Sequence, residues 1–322
     1  MLDPAWLDAR ELAQSQHWLL TAAQGRSVGL TQSQLDSAVR RQALKRLVNG
    51  VYLLDGDVFD DVPEHLWWRA ALLAHGVDVC LAGWTGARAI GAEGLPGVDP
   101  TIDLAIVGGV SRHPRATTHI SQRMADGREI VVRQWAVKPG EIEVVDGMRV
   151  RRRAQTIVDA ALMLDRVHAV CLFDWALHSE LMSRDELDRL VGMAKRRPGV
   201  VHVRRAAELA DGRAESPLES RVRLACIDGG LPPDDLQYPV EDSFGDVVAY
   251  GDLAWLKRRH TKKPLIAEAD GKDPHSGPKP VLYDRRRSNT MVGRSCDMVR
   301  FSWADALRPV YIQQTVRAAL AA

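Results

Sequence analysis

Gly251-Asp252-Leu253-Ala254-Trp255 and Pro264-Leu265-Ile266-Ala267-Glu268-Ala269-Asp270-Gly271-Lys272 are two short apolar runs, interrupted by three acidic residues, in the last third of the chain. Alternate side chains of a β-strand share a face. Glu268 and Asp270 therefore project together, while Leu265, Ala267 and Ala269 turn the other way. An apolar strand normally enters a core, where an unpaired carboxylate is costly to bury. A hard divalent cation removes that cost, because Mg²⁺ is held by one or two carboxylates plus substrate phosphate. Asp252 ends the preceding run, VVAYGD, and could join the pair. The pattern predicts a metal site suited to phosphodiester chemistry. The competing reading is that Asp270-Gly271 opens a turn and Glu268 pairs with a basic side chain.

Upstream, SPLESRVRLACIDGGLP (216–232) predicts a helix with Ser216 as N-cap, Pro217 in the first turn and Gly229-Gly230 ending it. Leu218, Val222, Ala225 and Cys226 form its apolar stripe, and Glu219 lies beside that stripe near the positive end. A hairpin follows (237–252), then the Glu268 strand, a helix over 281–293 (VLYDRRRSNTMVG), a strand at 297–301 (DMVRF) and a final helix.

In this order, residues 215–322 resemble the very-short-patch-repair-type endonuclease-like domain, a branch of the PD-(D/E)XK nuclease superfamily. The matching pieces are SPLESRVR, GLPPDDLQYPV, the Asp252 strand, AEADGK, the Asp284/Arg287 helix and VRFSW. The resemblance implies a nuclease-like sandwich in which Asp252 and Glu268 ligate Mg²⁺ or Mn²⁺, with the Ala269 carbonyl available. Asp270 would orient a ligand or accept a proton from water, and Glu219 would hold a second metal or position Asp252. The superfamily's lysine position holds Asp270 here, which leaves Lys272 or His275 to stabilise charge on the phosphorane. The loop KRRHTKK (257–263) between the acidic strands could hold a phosphate backbone.

At the other end, residues 8–54 carry a second compact pattern. A first helix (DARELAQSQHW) precedes Thr21-x-x-Gln24 and Thr31-x-x-Gln34, both capping boxes, each opening a short helix with Gly29 between them. LKRLVNGVYLL then reads as a hairpin turning at Asn49-Gly50. Helix, helix, turn, helix and hairpin make a winged helix-turn-helix. From Thr21 to Leu54 five basic residues (Arg26, Arg40, Arg41, Lys45, Arg46) face one acid, Asp36. That surplus suits a phosphate-contacting surface on double-stranded DNA, with Arg40, Arg41, Lys45 and Arg46 straddling the backbone and Gln32 and Ser33 reading sequence. Small winged helices also dock proteins, and five basic residues can simply keep one soluble. The echoes LLTAAQ, GLTQSQL and RLVNGVYLL resemble the N-terminal domain of AbiEi-family antitoxins, which implies promoter autorepression and a cognate toxin as partner.

Composition bounds these readings. At 322 residues, 46% hydrophobic and net charge +1, the chain predicts a soluble protein of two or three domains. Cys80, Cys171, Cys226 and Cys296 lie far apart, which suggests neither a zinc site nor a disulfide framework and fits a reducing cytoplasm. The acidic start is not a signal peptide, and no run approaches the roughly 20 apolar residues of a membrane span. The expected organisation is multidomain, α+β and α/β: a winged helix over 1–56, a mixed α/β linker domain over 57–214 and the nuclease-like domain over 215–322.

The middle predicts alternating helices and strands, with Ser183 as an N-cap, and WTGARAIG and RRRAQTIVDAAL resemble AbiEi-family linker regions. It holds no GxGxxG or P-loop spacing. Its histidines lack ligand spacing, and Trp67, Trp68, Trp84 and Trp135 read as core. Two functions follow. One is a DNA-binding protein with a metal-dependent endonuclease-like domain. The other is a repressor or antitoxin whose C-terminal domain is a silent fold.

Overall fold

The structure, a computed structural model, describes residues 3–54, 56, 59–97, 101–108, 120–241, 245–258, 261, 263–270 and 296–322. It is a mixed α and β protein, with three sheets among the described residues. Two compact units divide it, Met1–Leu164 with Arg189–Val200 and Asp165–Asp188 with Val201–Ala322.

In the first unit, α1 (Pro4–Gln14) leads to β1 (Leu19–Thr21), α2 (Ala22–Ser27) and α3 (Gln32–Arg40). α1 stops four residues short of the expected end, because His17 and Trp18 both take positive φ, 59° and 62°. The two predicted capping boxes are formed. Thr21 Oγ1 accepts from Gln24 N at 3.1 Å and Thr31 Oγ1 from Gln34 N at 3.2 Å, while each glutamine carboxamide accepts the threonine N–H. The hairpin of β2 (Lys45–Val48) and β3 (Val51–Leu53) turns at Asn49-Gly50, with Gly50 at φ 77°. β1 adds to its far side, giving the order β1-β3-β2. Three residues are too few for a strand pattern to show in sequence.

α4 (Glu64–His75) carries Leu66, Trp67 and Trp68 into one core with Leu19, Leu47 and Leu53 on one side and Val79, Ile102 and Val150 on the other. The expected boundary at 56/57 therefore runs through a continuous core. A six-stranded sheet has the order β6 (Ile120–Arg123), β7 (Glu129–Val137), β5 (Thr101–Val107), β4 (Val79–Leu81), β9 (Met148–Arg151) and β8 (Ile142–Val145). β5 runs parallel to β7 and β4 to β9. Helices α5 (Gly83–Ala89) and α6 (Arg153–Ala161) complete this part.

The second unit begins with α7 (Arg166–His178) and the start of α8 (Arg184–Met193), whose first turn is capped by Ser183, as expected, through Glu186 N at 3.2 Å. α9 (Val200–Leu209) follows, and then α10 (Pro217–Asp228). Ser216 caps α10, Pro217 opens it and Gly229 closes it. The predicted stripe Leu218, Val222, Ala225 and Cys226 is buried. It meets Ile312 and Val316 of α12 (Pro309–Ala321), and the two helices cover Leu253, Trp255, Leu265, Ala267 and Phe301. The sheet has the order β10 (Asp235–Glu241), β11 (Val247–Trp255), β12 (Leu265–Ala269), β13 (Asp297–Phe301). β11 runs antiparallel to both β10 and β12, and β13 runs parallel to β12. A short α11 (Trp303–Ala306) precedes α12. The helix expected over 281–293 lies outside the described residues, as does part of the 257–263 loop.

Val240, Ala249, Ala254, Ile266 and Cys296 form a second cluster with Tyr238 and Met298. Gly251 is required there, because a Cβ on it would stand 2.4 Å from Ile266 Cγ2, a branched and fully buried side chain.

Within this unit α7 is bound to α10 by a buried ion pair. Arg223 Nη2 lies 2.6 Å from Asp174 Oδ2, and Arg223 Nη1 donates to the Leu209 carbonyl at 2.8 Å. The other carboxylate oxygen of Asp174 accepts the Asp211 N–H at 2.7 Å. α7 thus belongs with the C-terminal sheet, and the compact units cut the chain at 164/165, 188/189 and 200/201 rather than at 214/215.

The four cysteines are free and buried. Burial pushes the Cys171 and Cys226 thiols up to about 12, so they are poor nucleophiles at neutral pH. Among the described residues no helix is long and apolar enough to cross a membrane.

Candidate functional site

Asp252 and Glu268 are neighbours on adjacent strands. The β11–β12 ladder pairs Leu253 with Ala267, and that register carried one step further sets Asp252 opposite Glu268. Asp252 Oδ2 accepts the Ala269 N–H at 2.7 Å. That carboxylate gives the Ala269 N–H an acceptor on the neighbouring strand.

Across the parallel pair, Glu268 stands beside Arg300, and Arg300 Nη2 meets Glu268 Oε2 at 3.1 Å. That contact is the basic partner the competing sequence reading allowed for Glu268. It is half exposed, at 42% and 21% for the two side chains, so it is worth little in stability. Its consequence is electrostatic, since a guanidinium offsets the crowding of like charges that three carboxylates alone would produce.

The other expected members lie apart from this pair. Asp270 is exposed just past β12, and its N–H donates to the Phe301 carbonyl at 2.8 Å. Glu219 is buried in the first turn of α10, where its carboxylate serves its own helix. Oε2 accepts from Glu215 N at 2.9 Å and Gln237 Nε2 at 3.0 Å, and Oε1 accepts from the Ser216 hydroxyl at 2.8 Å. Among the described residues no group of three or more His, Cys, Asp or Glu side chains is placed to hold a metal ion. The donor set in view is two carboxylates. That fits Mg²⁺ or Mn²⁺ completed by water and substrate phosphate, and does not fit a cage of three carboxylates. Lys272 and His275 lie outside the described residues.

Burial pushes the Glu219 carboxyl up from its ordinary value, against the lowering effect of its hydrogen bonds. An acid whose folded-state value is raised loses stability as pH climbs from the unfolded-state value, about 4.3, to the folded one. Glu219→Gln cannot ionise and keeps one acceptor oxygen, with an NH2 in place of the other. We expect its thermal stability to lack the decline that Glu219 ionisation gives the wild type as pH climbs above about 4.3. Parallel pH profiles in both proteins would expose a charge-independent role.

The N-terminal surface is arranged around α3. Gln32 and Ser33 are exposed at its start, and Arg40 and Arg41 at its end. The other two expected phosphate contacts are engaged within the protein. Lys45 is half-buried and its ammonium donates to the Phe59 carbonyl. Arg46 Nη2 lies 2.5 Å from Asp36 Oδ1, and its guanidinium stands 5.6 Å over the Tyr52 ring. Gln32 Nε2 donates to Asp36 Oδ1 at 3.2 Å and to the Tyr52 hydroxyl at 3.0 Å. An open cleft is lined by Gln32, Asp36, Val39 and Arg40 of α3 with Arg46 and Asn49 of the hairpin.

Sequence reasoning missed Asp36, Tyr52 and Arg300. Only the i, i+4 spacing of Gln32 and Asp36 was there to be read.

No family model matches the chain. Two proteins of Mycobacterium tuberculosis, "Uncharacterized protein MT2308" of strain CDC 1551 / Oshkosh and "Uncharacterized protein Rv2248" of strain H37Rv, are each 32% identical to it over 261 residues, covering 80% of this chain and 85% of theirs. At that identity and coverage, the chain belongs to the family of these two mycobacterial proteins.

Proposed function

We propose that this is a cytoplasmic DNA-acting protein, in which an N-terminal winged helix-turn-helix holds double-stranded DNA and a C-terminal PD-(D/E)XK-like domain hydrolyses a phosphodiester. The observation that carries the reading is the register that sets Asp252 opposite Glu268 on adjacent strands, with the Asp252 carboxylate accepting the Ala269 N–H. The element order around it supports the same fold: helix α10, three antiparallel strands, then a strand parallel to the third. Asp252 and Glu268 would hold Mg²⁺ or Mn²⁺, which supplies an activated water when bound. Asp270, exposed past β12 and apart from the pair, would orient a ligand or accept a proton at its carboxylate. Arg300 orients the Glu268 carboxylate through its Nη2. Lys272 or His275, both outside the described residues, would stabilise charge on the phosphorane.

The Glu268–Arg300 contact also favours a second reading, an AbiEi-type repressor or antitoxin with a cognate toxin and a silent C-terminal domain. Incubating supercoiled plasmid with the full chain in Mg²⁺, Mn²⁺ or EDTA separates the two. Metal-dependent nicking supports the nuclease, and duplex binding without nicking supports the repressor.

The DNA-holding surface is tested separately. Arg40 and Arg41 are the two exposed cations at the end of α3. Arg40→Ala with Arg41→Ala should weaken duplex binding about equally across sequences and flatten the salt dependence by about one unit of slope per lost contact. Gln32→Ala or Ser33→Ala should instead change sequence preference. A double variant that binds duplexes like the wild type at every salt concentration would remove α3 from the interface.

A further inference from the structure

We propose that Asp36 determines specificity by holding Arg46 away from the DNA backbone, so that the α3–hairpin cleft binds indifferent duplex weakly. This rests on the reading that the N-terminal surface holds DNA. Asp36 is the single acid among the five basic residues of 21–54, and it lines the cleft itself. Gln32 and Asp36 are one turn apart on α3 and share a face. The Asp36 Oδ1 atom receives both the Arg46 guanidinium, at 2.5 Å, and the Gln32 carboxamide, at 3.2 Å. Tyr52 closes the network from β3, accepting from Gln32 at 3.0 Å with Arg46 over its ring.

Stability does not explain this arrangement. The Asp36 and Arg46 side chains are 37% and 43% exposed, and pairs so exposed contribute little. Chemistry explains it better, because a carboxylate offers a guanidinium the same charged oxygen acceptors as a phosphate. Asp36 is thus an internal competitor for the phosphate that Arg46 would otherwise neutralise. Non-specific affinity follows the number of phosphates neutralised, so withdrawing one arginine lowers it for every sequence. Opening the network also releases Gln32, whose carboxamide suits the edge of adenine in the major groove. Binding that uses Gln32 on a base compensates for the opened network, and binding to the backbone alone does not.

The test uses the full chain, a 20-base-pair duplex of random sequence, and a duplex enriched from a random pool by the wild-type protein. Asp36→Asn should bind the random duplex up to about fivefold more tightly at 0.1 M salt, with a salt slope steeper by about 0.9, the value of one recovered phosphate contact. Its preference for the enriched duplex should fall. Arg46→Ala should change random-duplex binding little in the wild-type background and remove most of the gain in the Asp36→Asn background, and matching thermal melts show that the variants fold. Wild-type binding with an unchanged affinity and slope for Asp36→Asn would overturn the proposal alone. So would a gain that survives Arg46→Ala in full. If neither the wild type nor Asp36→Asn retains any duplex at low salt, the DNA-holding reading fails and this proposal fails with it.

Discussion

Asp252→Asn is expected to leave the protein folded and to abolish metal-dependent nicking of supercoiled plasmid. An asparagine keeps an oxygen at the position that accepts the Ala269 N–H, so the join between β11 and β12 survives. What it removes is the negative charge, and a hard divalent cation is held by charged oxygens. Loss of a group that merely orients a metal ligand costs about 10–100-fold, so loss of a ligand should exceed about 100-fold. A bound divalent ion should also raise the melting temperature of the wild type and not that of the variant, because a ligand that binds only the native state stabilises it. Nicking by Asp252→Asn at the wild-type rate would sink the catalytic assignment. A wild-type melting temperature indifferent to Mg²⁺ and Mn²⁺, together with no nicking, would move the conclusion to the repressor reading.

The largest effect on stability is expected from Arg223→Ala. Arg223 and Asp174 are 6% and 1% exposed, and the guanidinium is the charge partner of a carboxylate with almost no access to water. Removing one member of such a pair leaves an uncompensated buried charge, which costs about 3–5 kcal/mol. Burial already pushes the Asp174 carboxyl up, and the Arg223 guanidinium is what pulls it back. Without Arg223 the folded-state value rises further, so stability is lost over a wider span above the unfolded value of about 3.9. The deficit should therefore be smaller at pH 5 than at pH 7.5 in urea denaturation. Asp174→Leu with Arg223→Met removes both charges and should recover most of the loss. A single variant as stable as the wild type at pH 7.5 would mean that water reaches Asp174.

The acidic site was legible only in part. GDLAW and LIAEAD showed two apolar strands with carboxylates at their ends, and the structure brings Asp252 beside Glu268. The expected convergence of Asp270 and Glu219 on that pair does not occur among the described residues. Glu219 is consumed by its own helix terminus, where Ser216 and the Glu215 N–H offer nearer partners than any metal. The surplus of basic residues near α3 was correctly counted, but a count of charges cannot show that Lys45 and Arg46 already have internal partners.

The division has a physical basis. What the sequence determined by itself is local: the capping boxes at Thr21 and Thr31, the Ser216-Pro217 start of α10, the Asn49-Gly50 turn and the apolar stripe of α10. Each depends on groups three or four residues apart, whose geometry follows from backbone dihedrals and side-chain reach. Tertiary structure alone decided that β1 would extend the hairpin sheet and that α4 would join two sheets in one core. It also decided that α7 would pair with α10 through Asp174 and Arg223, and that Arg300 would meet Glu268 across a parallel pair. Those contacts close loops of tens of residues, and any of the chain's many arginines could have met any of its acids. Their selection lies in how the apolar faces pack, which fixes which charges are left side by side.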